Sequence, residues 1–211
     1  DALRNAMRQA PDVILIGEIR DLETMRMALT YALSGHLCLA TLHANNAYQA
    51  MNRVISFFPL EVRPMLLQDL SVSLKAVISQ RLIKTVAGGR TPAMEVLLNT
   101  RNIAELIEKG EIGEIKEAME KSMSPGSQTF EQDLFRLVRQ GKISTDEALG
   151  NADSATNLGL LLGNSGIMPA MAEKARQPGG GRPHPGAPSF RGVKINEDPG
   201  GVGRRLWVSA H

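Results

Sequence analysis

A mostly parallel α/β sheet followed by a set of helices is the fold the sequence predicts, and three observations predict it. Two short apolar runs, Val13-Ile14-Leu15-Ile16 and Leu37-Cys38-Leu39-Ala40-Thr41, alternate with helix-periodic stretches, the order that builds βαβ units. Each run is continuously apolar, as strands buried on both faces are. From Asn99 onward the pattern turns helical and carries two helix-capping signatures.

Taken in order, residues 3–9 read as a short helix and 13–16 as a strand ended by Gly17. Asp21 then caps a helix with Glu23 in its first turn, where a negative charge meets the positive end of the helix dipole. Leu22, Met25, Leu29, Ala32 and Leu33 fall at three- and four-residue spacing and give it one apolar face. On that helix Met25 and Met27 read as core packing. Gly35 stops it, and 37–41 form the second strand. Met51, Val54, Ile55 and Phe58 mark a further helix up to Pro59. Residues 61–80 read as one long helix, with Pro64 tolerated near its first turn. Runs 82–86 and 93–98 flank Ala87-Gly88-Gly89 and predict a hairpin.

Ile103, Leu106 and Ile107, then Ile112, Ile115 and Met119, are helix-periodic. Thr129 with Gln132 and Ser144 with Glu147 open two more helices, the first with an apolar stripe of Phe130, Leu134, Leu137 and Val138. A last helix runs over 154–162. Beyond it, Gly/Pro-rich stretches such as Gln177-Pro178-Gly179-Gly180-Gly181-Arg182-Pro183 hold too little apolar surface to offset ordering entropy. The expected organisation is therefore a sheet-bearing core over 1–98, a helical subdomain over 99–163 and a disordered tail over 164–211.

Composition narrows the function classes. The chain has 211 residues, 43% of them hydrophobic, enough for a sizeable core. A net charge of +2 and 4% aromatics argue against a nucleic-acid surface. Cys38 is the sole cysteine, so neither an internal disulfide nor a cysteine-cluster zinc site can form. No apolar run approaches the roughly 20 residues of a bilayer span. The sequence opens on Asp1 inside a helical pattern, which reads as the cut edge of a longer chain.

Two motifs carry chemistry. The first, Asp12-Val13-Ile14-Leu15-Ile16-Gly17-Glu18-Ile19-Arg20-Asp21, is a buried strand ending in a carboxylate. Glu18 then stands at the C-terminal edge of the sheet, where α/β proteins bind ligands, and a carboxylate there can orient or deprotonate an attacking water. The competing reading makes Glu18 a solvated residue after a core strand; Asp21 is best read as a helix cap. The second motif is Gly35-His36-Leu37-Cys38-Leu39-Ala40-Thr41-Leu42-His43-Ala44-Asn45-Asn46-Ala47. Its strand also ends in polar groups, and Thr41, His43, Asn45 and Asn46 stand where a phosphate sensor would; a partly buried structural histidine is the alternative.

These motifs resemble those of the secretion ATPase superfamily, and specifically the PilT/PilU retraction ATPases of type IV pili, over residues 1 to about 162. The run from Val13 to Asp21 resembles that family's atypical Walker B, with Glu18 matching its catalytic glutamate. The stretch from His36 to His43 resembles its His box, with His43 near the γ-phosphate. Ser79-Gln80-Arg81-Leu82 matches a further family segment. The resemblance implies a RecA-like P-loop ATPase core and a hexameric ring, homomeric or mixed with a PilT-like ATPase. It also implies ATP with Mg, an inner-membrane pilus platform protein as partner, and a cytoplasmic position at the inner membrane. It assigns catalysis to Glu18 and His43 and nucleotide contact to Gly17, Thr41 and His36. Arg20, Arg53 and Arg81 become candidates for an arginine finger or a ring interface, with solvated or salt-bridged arginines as the alternative.

Three departures refine it. The sequence contains no Gly-x-x-x-x-Gly-Lys-Ser/Thr loop to cradle phosphates; in the family that loop and an acidic Asp box lie upstream, so the Mg ligands are expected there. No four-cysteine zinc insert follows Arg81-Leu82, which points away from extension and secretion relatives. Asn102-Ile103-Ala104-Glu105-Leu106-Ile107-Glu108-Lys109 keeps the apolar face of a PilT motif and changes its polar face. With Asn151-Ala152-Asp153-Ser154-Ala155, this leans toward the PilU side. Motor ATPase for retraction is the leading function, with a secretion or extension ATPase and a non-catalytic ring subunit as alternatives. Without the phosphate loop, this segment alone is expected to be inactive.

Overall fold

The structure, a computed structural model, describes residues 11–122, 124–166 and 206–210. The expected helix over 3–9 lies outside them. Strand β1 (Val13–Ile16) pairs in parallel with β2 (Leu37–Leu42), Val13 opposite Leu37 and Ile16 opposite Ala40. Between them runs α1 (Leu22–Leu33), capped by Asp21, whose carboxylate accepts from the Thr24 N–H at 2.8 Å. That hydrogen bond holds the Asp21 carboxyl below its ordinary value. Gly35 takes a left-handed φ of 95° and turns the chain back into β2, a conformation that glycine adopts without steric cost.

Helix α2 (Ala47–Ser56), capped by Asn46, leads through a 3₁₀ turn (Leu60–Val62) into α3 (Arg63–Ser73), with Pro64 in its first turn as expected. The long helix expected over 61–80 ends at Ser73, and Leu74–Lys84 is strand β3. Leu66, Leu70, Leu74 and Val77 keep helical spacing, which is why the sequence reads as one helix. Two hydroxyls turn onto the backbone where the helix closes, Ser71 to the Gln68 carbonyl at 2.7 Å and Ser73 to that of Asp69 at 2.6 Å. The nine residues from Ala76 to Lys84 then pair antiparallel with β4 (Arg90–Leu98), and that ladder overrides local helix propensity. The expected hairpin is present, turning at Gly88 and Gly89, both at positive φ.

Helices α4 (Arg101–Lys109), α5 (Ile115–Lys121), α6 (Phe130–Arg139), α7 (Thr145–Asn151) and α8 (Ala155–Asn164) follow. At α6 the capping box is complete, Thr129 and Gln132 bonding reciprocally. At α7 Ser144 accepts from the Glu147 N–H, which supplies the cap.

The sheet order is β1-β2-β5-β3-β4, with β5 being Leu206–Ala210. β5 pairs antiparallel with both β2 and β3. The sheet is thus mixed, with one parallel pair among the described strands, where a mostly parallel one was expected. The five residues of β5 also depart from the expected disorder of 164–211: main-chain pairing on both sides supplies what their flanking composition does not. Residues 167–205 lie outside the described set.

Two cores result. One joins the sheet, α1–α3 and the apolar faces of α4 and α5, including Ile103, Ile107, Ile115 and Met119. The other joins α6–α8 to Ile83 and Ala93 at the far end of the hairpin. The cores therefore do not divide at 98/99: α4 and α5 belong with the sheet, and the hairpin tip belongs with the later helices.

Candidate functional site

Parallel pairing in this register brings the ends of β1 and β2 side by side, so residues just after Ile16 face those just after Ala40. Gly17 and Ile19 are pinned to β2. The Thr41 hydroxyl donates to the Gly17 carbonyl, and the Ile19 N–H donates to the Thr41 carbonyl at 2.9 Å. Glu18 is held between these two bonds. Ile19 anchors the loop by burying its side chain at 3% exposure.

At that edge Glu18 Oε1 lies 2.9 Å from His43 Nε2, and Glu18 Oε2 accepts from Arg20 Nε at 2.7 Å. The Arg20 guanidinium is raised in pKa by its bond to Glu18. Glu18 is about one-fifth exposed and His43 about two-thirds exposed, so the pair is anchored at the carboxylate and open to solvent at the imidazole. Leu15, Gly17, Glu18, Arg20, Thr41, Leu42 and His43 line an open cavity of about 360 Å³. A carboxylate held by two cationic or hydrogen-bonding neighbours beside an open polar cavity can accept a proton from a bound water if one neighbour moves.

Gly17, Glu18, Arg20, Thr41 and His43 are brought together as the sequence suggests. His36 is not. It precedes β2, roughly 20 Å along the strand from His43 at about 3.3 Å per residue, and its ring bonds Ser34 and the Tyr31 carbonyl. Its expected nucleotide contact is not supported by this placement, because six strand residues separate it from the edge that carries Glu18. Arg53 lies on α2 with its guanidinium 5.3 Å from the Phe57 ring, away from this cavity.

Arg81 takes the salt-bridged alternative. Its side chain is only 10% exposed and pairs with Asp153, and its guanidinium lies 3.9 Å from the Phe130 ring centre. A guanidinium so enclosed by its own chain is not free to reach a neighbouring subunit. Asn46 likewise turns from the cavity, capping α2 and donating to Asp153 at 2.8 Å, and the Asn45 backbone carbonyl accepts from Arg81 at 3.1 Å.

β1 is not buried on both faces. Ile14 and Ile16 are, but Val13 is 52% and Leu15 66% exposed. A continuous apolar run reads the same whether one face or two are covered; only the position of the helices decides it.

Sequence reasoning missed Glu95, on β4. It is 4% exposed and its Oε2 accepts from the Ala47 N–H at 2.6 Å and from Ser79 Oγ at 3.1 Å. Burial raises its pKa, partly offset by those two hydrogen bonds. The signal was present: Glu95 shares strand parity with the buried Ala93 and Leu97.

Magnesium finds no cradle here. Among the described residues no three His, Cys, Asp or Glu side chains converge on a point, and Glu18 has both oxygens engaged by Arg20 and His43. No step is assigned to the metal by these side chains.

Residues 1–150 match the family model described as type II/IV secretion system protein. The chain is 52% identical over 162 residues to the type IV pilus ATPase PilU of Pseudomonas aeruginosa, covering 76% of this chain and 42% of that protein. To the type IV pilus retraction ATPase PilT of the same organism it is 43% identical over 157 residues, covering 74% and 46%. A crystal structure of the pilus retraction motor PilT with bound ADP superposes with a TM-score of 0.69 at 38% identity, covering 76% of this chain and 45% of that one. The chain thus spans less than half the length of these relatives.

Proposed function

This chain belongs to the type II/IV secretion system protein family, on its PilT/PilU side, and we propose that it supplies the hydrolytic edge of a pilus motor ATPase. The observation that carries the reading is the Glu18–His43 pair at the shared C-terminal edge of two parallel strands, beside an open cavity. In this reading Glu18 is the general base that positions and deprotonates the attacking water, a role geometry and charge suit it for. His43 orients the carboxylate and faces the terminal phosphate, and Gly17 and Thr41 fix the backbone around it. Arg20 competes for Glu18 Oε2 and is the neighbour that must move for the base to act.

The core is RecA-like, the working form is a hexamer or mixed ring with a PilT-like subunit, and ATP with magnesium is the fuel. The site of work is the cytoplasmic face of the inner membrane, against the pilus platform. Among the described residues no helix is long and apolar enough to cross a membrane. Retraction is favoured over extension or secretion by the hairpin between β3 and β4: the chain passes from Lys84 to Arg90 through five residues, with no room for a zinc-binding insert.

A non-catalytic ring subunit is the second reading, kept alive by the changed polar face of Asn102–Lys109 on α4 and by the lack of a phosphate-cradling loop in this sequence. A chimera separates the two. Residues 1–162 of this chain replace the matching segment of Pseudomonas aeruginosa PilU, and phosphate release is followed with Mg-ATP. Turnover comparable to that of the PilU parent is expected. A folded, nucleotide-binding chimera with no turnover contradicts the motor reading and favours the non-catalytic one.

A further inference from the structure

The loop that carries His43 is tied at its far end by three different elements. Immediately after Ala44, the Asn45 carbonyl accepts from Arg81 of β3 at 3.1 Å. Asn46 donates through Nδ2 to Asp153, in the α7–α8 connection, at 2.8 Å. The Ala47 N–H donates to the buried Glu95 of β4 at 2.6 Å. Three consecutive residues are thereby held by three side chains from distant parts of the sequence.

Arg81 and Asp153 join these ties into one unit. They pair with each other, Arg81 donates through Nη1 to the Asn151 carbonyl at 2.7 Å, and its guanidinium stacks on Phe130, the first residue of α6. Phe130 itself lies at the centre of the helical core. One Arg81 nitrogen, Nε, is buried with no hydrogen-bond partner. A buried ion pair with an unsatisfied donor is poor value for stability alone, and fixing one geometry is its best-attested use.

We propose that Arg81 and Asp153 are positioning residues for His43: they couple the helical core of α6–α8 to the loop that sets the imidazole against Glu18. The inference rests on the reading of Glu18 and His43 as the hydrolytic pair. It gives the helical core a direct mechanical line to that pair. A shift of the α7–α8 connection moves Asp153, releases Asn46 and Asn45, and loosens His43, without any change at β1 or at the Gly17 and Ile19 bonds that hold Glu18.

The test uses this chain without nucleotide and reads the His43 ring directly. Side-chain ¹⁵N resonances of His43, assigned with His43→Gln, report whether Nε2 keeps its bond to Glu18. Backbone exchange at Ala47 reports the loop. Asp153→Asn and Arg81→Lys both keep side-chain volume. Each is expected to shift the His43 Nε2 resonance and to speed Ala47 exchange by about tenfold or more, as local opening does. Leu137→Val, in the helical core but outside the network, serves as the control for a general loss of stability. It is expected to leave His43 in place. An unmoved His43 resonance in both network variants overturns the proposal, as does an equal movement in Leu137→Val. Neither result touches the assignment of Glu18, which is decided by turnover and not by this spectrum.

Discussion

The two ends of this molecule use the same apolar residue types to opposite effect. In the helical core Phe130, Leu134, Leu158 and Leu162 are fully buried, while on β1 Val13 and Leu15 stand 52% and 66% exposed. The helical end is capped by a complete Thr129–Gln132 box and joined by the hairpin tip, with Leu160 and Leu161 of α8 left at its surface. The strand end is closed on one face and open on the other, and the open face adjoins the cavity of Glu18 and His43. Both ends hold a buried core, Ile14, Ile16, Cys38 and Ala40 on the strand side and Phe130, Leu134 and Leu158 on the helical side; what differs is the second face of β1, which no described element covers.

The sharpest way to break that contrast is a pair of truncations. Leu134→Ala removes a fully buried side chain and is expected to cost about 2–5 kcal/mol by chemical denaturation. Leu15→Ala, on the exposed face, is expected to stay within about 0.5 kcal/mol of the parent. Similar losses for the two would mean that β1 is covered in solution and the two ends are not different in kind.

Glu95 sharpens the comparison, because it lies between the ends. Replacing it with Leu strands the Ala47 N–H and should cost about 1–3 kcal/mol. Its pH dependence has a definite sign. Folding raises the Glu95 pKa above its ordinary 4.5, so folding favours the protonated form. The resulting stability is complete below that ordinary value and is lost as pH rises through the folded one. Denaturation midpoints of the parent should therefore fall more steeply with rising pH above 4.5 than those of Glu95→Gln, which keeps an acceptor for Ala47. Parallel pH profiles would contradict this.

The smallest effect concerns Cys38, at 1% exposure on β2, whose thiol burial pushes up to about 11. Thiol reagents at neutral pH should label it only at the rate of unfolding. Rapid labelling of the folded chain would mean that the strand beside β1 opens far more readily than the helical end.

Much of this was legible in the residues. The caps at Asp21, Thr129 and Ser144, the Gly88-Gly89 turn and the carboxylate after β1 all follow from local chemistry, which a short window of sequence contains. What was not legible depends on pairing at a distance. Residues 74–80 keep helical spacing and become strand only because β4 offers a ladder. In the sequence Arg81 stands open between an arginine finger and a salt-bridged residue, and only Asp153, seventy-two positions later, decides for the ion pair within this chain. His36 sits in the same motif as His43; the strand expected between them already sets the two histidines at opposite ends of β2, and the family motif outweighed that local signal.

The central claim is that Glu18 acts on the hydrolytic step and not on binding. Glu18→Gln in the PilU chimera tests it, with nucleotide affinity and single-turnover hydrolysis measured side by side on folded assemblies. Gln keeps the shape and can touch a water, but it cannot take its proton. Affinity is expected to stay within about threefold while hydrolysis falls by roughly a hundredfold or more, the scale of general-base catalysis. Near-normal turnover in the Gln variant would contradict the account.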